Sequence, residues 1–310
     1  MDVSQPIVAH NFWIRISGSM KKKILITGAT GYLGSHLAKA LVAQGHELVV
    51  LKRKTSSLTR IESILPMIAL YDIDDLIFSD PFKAHGKIDA VIHTATCYGR
   101  NNETVSQVFE ANTVFPLQLI DAASLAGVGI FINTDTTLDK YLNLYSLSKN
   151  QLLEWGRFFS MHNKIHFSNM RLEHFYGPDD EDSKFTTHVI KSCLANLPEL
   201  KLTLGEQKRD FIYIDDVVSA YVILLENVDQ FPNLFMQFDV GSGHATSIRE
   251  FVESVHRITG SRTHLAFGAF PYREGEVMLS EANTTPLKNL GWRCKTSLAH
   301  GLKSVMESYK

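Results

Sequence analysis

Cysteine is scarce in this 310-residue chain. Cys97, Cys193 and Cys294 stand alone, and no two form a CxxC pair. Three isolated cysteines argue against a disulfide framework and a thiolate zinc site, and they point to a reducing, cytoplasmic setting with no metal. An excess of one charge is also absent. Lys and Arg number 31 against 33 Asp and Glu, a net charge of -2, so no global basic field marks the chain for nucleic acid. No apolar run approaches the roughly 20 residues of a membrane span. Internal repeats and low-complexity tracts are missing as well. What is present, 45% hydrophobic and 21% charged residues, suits a globular enzyme with a large core, built as one large domain or two intimate ones. Residues 1–19 read as an N-terminal extension outside the fold. They mix Asp2, His10 and Arg15 with short apolar stretches, a poor signal peptide.

The first positive signal is Gly28-Ala29-Thr30-Gly31-Tyr32-Leu33-Gly34, directly after the apolar run Ile24-Leu25-Ile26. Glycine permits backbone geometry and close approach that a Cβ blocks. A chain that turns sharply from strand into helix presents free N–H groups to a diphosphate. Gly28 and Gly31 suit the turn and the approach, and Gly34 lets the helix pack on the sheet. The spacing is GxxGxxG rather than GxGxxG, so the flanking pattern matters. Lys23 to Thr27 reads as a buried parallel strand, and Ser35 to Gln44 as a helix with Leu37, Ala40 and Leu41 at helical spacing. Gly28, Thr30, Gly31, Tyr32, Leu33 and Gly34 are therefore the candidate cradle for a nicotinamide dinucleotide.

Strand and helix patterns continue to alternate. Further strands are read at Glu47 to Leu51, Met67 to Tyr71, Ala90 to Thr94, Gly129 to Asn133 and Ile165 to Met170, with helices at Val105 to Leu125 and Tyr145 to His162. This rhythm predicts an α/β fold, a doubly wound parallel sheet of Rossmann type. Ligands on such a sheet bind beyond the carboxyl ends of its strands. The glycine turn, Thr94-Ala95-Thr96 and Thr134 to Thr137 all lie at such ends. After residue 171 the rhythm loosens. The acidic loop Pro178 to Asp182, short strands near Lys201 to Leu204 and Asp210 to Ile214, and helices at Asp215 to Glu226, Ser247 to Thr259 and Leu298 to Tyr309 predict a smaller C-terminal α/β lobe. The predicted division is a dinucleotide-binding domain over 20–172, with 209–242 returning to it, and a substrate-binding lobe over 173–208 and 243–310.

The end of the second strand meets the adenosine ribose. An acid there favours NAD, and a base accommodates the 2′-phosphate of NADP. The strand ends Val50-Leu51-Lys52-Arg53-Lys54 without an acid, which predicts NADP(H). Arg53 is the leading phosphate ligand, because a guanidinium binds phosphate in bidentate fashion; Lys54 is second. Asp72, ahead of Ile73, is placed for the adenine amino group.

Tyr145-Ser146-Leu147-Ser148-Lys149 puts a phenol and an ammonium at i and i+4, on one side of a helix. A free tyrosine has a pKa near ~10, and a nearby ammonium lowers it. A hydroxyl from the fifth strand would bind the substrate oxygen; Thr134, Thr136 and Thr137 are the candidates.

With these residues the chain resembles the extended short-chain dehydrogenase/reductases, the NAD-dependent epimerase/dehydratase family of nucleotide-sugar enzymes. The resemblance covers residues 20–310. Beyond the glycine turn and YxxxK it rests on Asn112, on Arg171 to Pro178, on Arg209 to Asp216 and on Leu290-Gly291-Trp292. It implies Thr136 as the active-site hydroxyl, Tyr145 as acid/base, Lys149 as its partner, Thr94, Ala95, Thr96 and Asn112 beside the cofactor, and Arg209 and Arg273 as arginines for the nucleotide diphosphate. Only nine positions separate Thr136 from Tyr145, and His174 stands where many relatives have asparagine.

Within the family, Cys97-Tyr98-Gly99-Arg100 with Glu103, Leu172 to Gly177, and Lys184-Phe185-Thr186 resemble the 4-ketoreductases that form CDP-linked dideoxyhexoses, CDP-paratose among them, for lipopolysaccharide O-antigen. The resemblance implies an NADPH-dependent reduction of a CDP-linked 4-keto sugar. Arg100, Glu103, His174 and Phe185 are then candidate substrate contacts. It also implies a homodimer formed through Val105 to Leu125 and Tyr145 to His162, where Leu152, Leu153, Trp155 and Phe158 exceed the needs of one core face. Two other readings stay open: an NAD-dependent 4-epimerase or 4,6-dehydratase, and a non-enzymatic NADP-sensing regulator.

Overall fold

The computed structural model describes residues 20–231 and 233–309. The extension read over 1–19 lies outside the described residues. The strands are β1 (Lys23–Thr27), β2 (Glu47–Lys52), β3 (Ile68–Asp72), β4 (Ala90–His93), β5 (Ile130–Thr136), β6 (His166–Leu172), β7 (His174–Tyr176), β8 (Glu199–Leu202), β9 (Lys208–Tyr213), β10 (Phe235–Val240), β11 (Ala245–Ser247) and β12 (His264–Phe267). The α-helices are α1 (Tyr32–Ala43), α2 (Asp80–His85), α3 (Val105–Phe109), α4 (Phe115–Leu125), α5 (Leu144–Met161), α6 (Phe185–Leu194), α7 (Ile214–Asn227), α8 (Ile248–Thr259), α9 (Thr285–Asn289) and α10 (Leu298–Glu307).

Seven parallel strands form the main sheet in the order β10-β6-β5-β4-β1-β2-β3. Its central strands are apolar without alternation because both faces are covered. Leu25, Val91 and Phe131 point to one core with Leu119 and Ile120 of α4 and Leu152 and Leu153 of α5. Ile24, Ile26 and Ile92 point to the other, with Leu37 and Leu41 of α1 and Val218 and Tyr221 of α7. This is the doubly wound sheet expected from the sequence. The chain winds outward one way through β2 and β3 and the other way through β4, β5, β6 and β10. The order therefore reverses between β1 and β4, and the crevice at their carboxyl ends is the natural ligand site.

Residues 173–309 add a three-stranded sheet, β11-β9-β7, and a two-stranded one, β12-β8. The expected return at 209 is corrected here. β9 pairs with β7 and β11, and only α7 and β10 go back to the main sheet. Asp210 explains this: wholly buried, it accepts from Ser242 N (2.7 Å), Gly243 N (2.9 Å) and Ala282 N (3.2 Å), which ties β9 to the C-terminal segments. Two further departures bear on the site. β5 runs on to Thr136, pairing Asp135 and Thr136 with Arg171 and Leu172. The long helix expected over 105–125 is broken by a π turn at Glu110–Val114. Pro116 has no N–H for the carbonyl of Asn112, so the regular ladder fails there. No helix among the described residues is long and apolar enough to cross a membrane.

Candidate active site

The glycine turn is closed by Gly31 N donating to Gly28 O at 2.9 Å. Gly28 has φ +73°, and a Cβ there would lie 2.5 Å from Ala95 N and 2.6 Å from Thr94 Oγ1. A Cβ on Gly34 would collide with the Gly28 carbonyl. The end of β4 braces the turn: Thr94 Oγ1 donates to Thr27 O (2.8 Å) and Ala95 N to Thr27 Oγ1 (3.3 Å). Helix α1 starts at Tyr32 with no side-chain cap and no acid in its first turn. Its leading amides and the positive end of its dipole are thus left for an anion. Tyr32 and Leu33 are buried, so their backbones, not their side chains, face that anion, with Thr30 beside them.

At the end of β2 the three basic residues separate. Lys52 Nζ donates to Asp72, and Lys54 is held by Asp74 (backbone N to Oδ2, 2.7 Å) and by Asp75. Asp72 and Lys54 are therefore each ion-paired at the surface, with their side chains still 41% and 55% exposed. Ile73 packs on the core. Arg53 is exposed and has no carboxylate partner among the described residues. Arg60, which the sequence reading missed, lies with its guanidinium 5.4 Å over the Tyr32 ring. It comes from the 3-10 segment Thr59–Met67, whose weak local pattern gave no signal.

Helix α5 opens with a capping box: Ser146 N donates to Asn143 Oδ1 (2.9 Å) and Asn143 N to Ser146 Oγ (3.2 Å). This places Tyr145 and Lys149 in its first turns. Lys149, 1% exposed, donates from Nζ to the Thr134 carbonyl at 2.9 Å. Thr134 Oγ1 is spent on the Tyr221 hydroxyl, 2.7 Å away. Of the three hydroxyls, that of Thr136 is the one that draws the Tyr145 phenol down; its Oγ1 accepts from Leu138 N at 3.2 Å. The third candidate, Thr137, turns toward the Leu172 carbonyl (3.5 Å). Tyr98 packs its ring 5.0 Å from that of Tyr145, and the Arg100 guanidinium lies 5.0 Å over the Tyr98 ring.

The charges differ from the simple expectation. Burial pushes the Tyr145 phenol above its ordinary range, helped by Tyr98 and Asp135, while Thr136 pulls the other way. Lys149, expected to lower the phenol, donates to the Thr134 carbonyl, and burial sets the direction of the Tyr145 shift. Burial takes the Lys149 ammonium down to about 8, against the pull of Asp135. Tyr98 is pushed up to about 12 by burial. Tyr145 is thus a neutral phenol at ordinary pH, not a phenolate.

Asn112, expected beside the cofactor, is wholly buried. Its amide accepts from Cys97 N (2.7 Å) and Thr96 Oγ1 (3.2 Å) and donates to Cys97 O (2.8 Å) and Ser148 Oγ (2.9 Å). It fixes the loop after β4 to α5 and has no hydrogen to spare for a ligand. Glu103 folds back on Asn101 N (2.7 Å).

On the lobe side, Arg209 is already paired. It donates to Glu276 and to the carbonyls of Val277 (2.5 Å) and Lys208 (2.8 Å). Arg273 is exposed. His174 lies edge-on to Phe211, its Nδ1 3.6 Å from Glu173, which is itself held by Ser280 Oγ at 2.8 Å. Phe185 begins α6 and is 38% exposed. Lys184 bridges the two parts of the molecule: its Nζ lies 3.0 Å from Asp180, 4.0 Å over Phe175 and 5.1 Å over Tyr32.

The chain is 34% identical to CDP-abequose synthase of Salmonella muenchen over 294 residues, 93% of this chain and 98% of the relative. It is 25% identical to a putative UDP-glucose 4-epimerase of Methanocaldococcus jannaschii, again over 93% of this chain. In fold it is similar to the UDP-glucose-4-epimerase of Stenotrophomonas maltophila, solved with bound NAD and formylated UDP-arabinopyranose, with a TM-score of 0.81 at 21% identity over 93% of this chain and 97% of that one. A family model matches residues 24–240. The chain belongs to the NAD dependent epimerase/dehydratase family.

Proposed function

We propose that this protein is a cytoplasmic, NADPH-dependent reductase of the 4-keto group of a nucleotide-diphosphate hexose, a CDP-linked 6-deoxy or 3,6-dideoxy sugar for O-antigen synthesis. The observation that carries the reading is the neutral Tyr145 phenol beside the Thr136 hydroxyl, one helical turn from buried Lys149, at the carboxyl edge of the sheet. The likeness to the Salmonella CDP-abequose synthase along nearly the whole chain supports the choice of a CDP sugar.

The residues fit a nicotinamide dinucleotide. The uncapped start of α1 accepts its diphosphate, and Arg53 meets the adenosine 2′-phosphate. When bound, that cofactor supplies a hydride to the carbonyl carbon. The protein's own part is the proton. Tyr145 donates it to the forming alkoxide, and Thr136 shares the hydrogen bond. Lys149 holds the nicotinamide ribose with its remaining hydrogens. Arg273, Phe185, His174, Arg100 and Glu103 line the sugar-nucleotide side, and the binding energy of that remote part positions the keto carbon. Asp135 is buried and bonded inward, so it is not offered as a dehydratase acid.

Two long helices per subunit suit a homodimer. Trp155, Phe158 and Met161 of α5 and Val105 and Phe109 of α3 are exposed, whereas Leu152 and Leu153 are core residues.

One observation favours a second reading. Lys52 and Lys54 are neutralised by acids from β3 and the turn after it, which leaves Arg53 alone to select the 2′-phosphate. An NAD-dependent 4-epimerase would need no such selection. NADPH labelled with deuterium at its transferable position separates the two. Deuterium in the product at sugar C4 supports the reductase; product or epimer without label supports the epimerase.

A further inference from the structure

Beneath Tyr145 and Lys149 lies a row of buried polar side chains that neither hydride acceptance nor proton donation uses. Asn133 and Asp135 share one face of β5, and Asn169 stands opposite Asn133 on β6. They are 0%, 6% and 0% exposed. The hydrogen bonds run one way. Asn133 Nδ2 donates to Asn169 Oδ1 at 2.7 Å, and Asn169 Nδ2 donates to Asp135 Oδ2 at 2.8 Å. Asp135 Oδ1 accepts from Thr136 N at 2.7 Å. An ionised carboxylate only accepts, so Asp135 sets the direction of both amides. The far end bears the consequence: Asn133 Oδ1 is buried without a partner, an exception to the rule that buried polar atoms are satisfied.

The groups around Lys149 are few. Lys149 Nζ sits 2.9 Å from the carbonyl of Thr134, the residue before Asp135 on β5, and Asp135 is the carboxylate that bears on it. His93 on β4 is wholly buried, and burial holds it far below its ordinary range, so it is neutral. Tyr145 on the same helix and Tyr221 from α7 are both raised by burial and neutral. The π turn offers Asn112 and Thr113, both bonded to Ser148. Glu110 and Asp121 on that side are exposed. On β6 and β10, Arg171 and Asp239 pair with each other.

We propose that Asp135 is a positioning residue for the Tyr145–Lys149 pair. Its carboxylate, aimed by Asn169 and Asn133, is the counter-charge that keeps Lys149 an ammonium and the anchor that holds Thr136 beside Tyr145. The proposal rests on the reading of Tyr145 and Lys149 given above. Asp135 itself touches neither cofactor nor sugar; it acts through its two neighbours.

The test is a titration of Lys149 in the full-length protein without cofactor. Lysine is isotope-labelled at Cε, and the Lys149 signal is assigned by its loss in Lys149→Arg. In the unsubstituted protein the midpoint is expected at about 8. In Asp135→Asn it is expected to fall by about one pH unit, the ordinary effect of removing an adjacent opposite charge. The amide is nearly isosteric, and Asn169 and Asn133 can reverse to accept it. If that variant does not fold, Asp135→Ser keeps an acceptor for the Thr136 amide, removes the charge and carries the same expectation. A midpoint unmoved in the folded variant overturns the proposal, because a merely structural Asp135 would lower stability without moving Lys149. The titration uses neither cofactor nor sugar, so its failure and the failure of the reductase reading are separate results.

Discussion

Tyr145 and Lys149 sit one turn apart on α5, yet burial moves their protons in opposite directions. The phenol is pushed up and stays protonated; the ammonium is brought down to about 8. A group lowered in this way carries its charge below about 8 and loses it above. We therefore expect kcat/KM to fall as pH rises through about 8, with no earlier basic limb from Tyr145; a flat profile to well above that pH would contradict this. Tyr145→Phe removes the proton donor and leaves the diphosphate cradle intact. Turnover should drop by about 10²–10⁴-fold, with cofactor affinity by fluorescence titration little changed. At this scale the sequence displayed the residues that act through spacing: the glycine turn and the Tyr/Lys pair. It hid those whose meaning lies in distant partners. Arg209 is taken by Glu276, 67 positions away, and Lys54 by Asp75, 21 positions away. Asn112 looked like a cofactor residue because nothing local announces that Cys97 and Ser148 use up its amide.

The elements were most legible where apolar runs cross the main sheet, because parallel strands buried on both faces leave a continuous signal. β7, β11 and β12 are three or four residues long and carry none. The π turn was invisible for another reason: the pattern of apolar residues continues through it, and only the Asn112 contacts and Pro116 dictate the extra residue. Helix α5 is held at its distance from the sheet by a single glycine. A Cβ on Gly156 would run into the ring of Phe167 on β6. Gly156→Ala should therefore destabilise the fold by about 1–3 kcal/mol despite the better helix propensity of alanine, read as a lower urea midpoint. A neutral or stabilising effect would mean that α5 can slide, and with it Tyr145 and Lys149.

Across the whole molecule, the reversal of strand order between β1 and β4 marks the crevice where a dinucleotide is expected. The sheet was predictable from rhythm alone. The boundary of the lobe was not, because β9 is drawn out of the main sheet by contacts of Asp210 with Ser242, Gly243 and Ala282. The exposed apolar face of α5 belongs to this scale too. Trp155 and Phe158 are 44% and 50% exposed, and replacing both by glutamate should convert a dimer to a monomer in sedimentation while the fold persists. A protein that is monomeric before substitution would contradict the proposed interface. The central claim is tested most directly by following NADPH absorbance, in parallel with NADH, across 4-keto-6-deoxy sugars linked to different nucleotides. Oxidation of NADPH in strong preference to NADH, with a CDP-linked substrate, is the predicted result. No oxidation on any of them, with NAD(H) tightly bound to the purified protein, would contradict the account and leave the epimerase in its place.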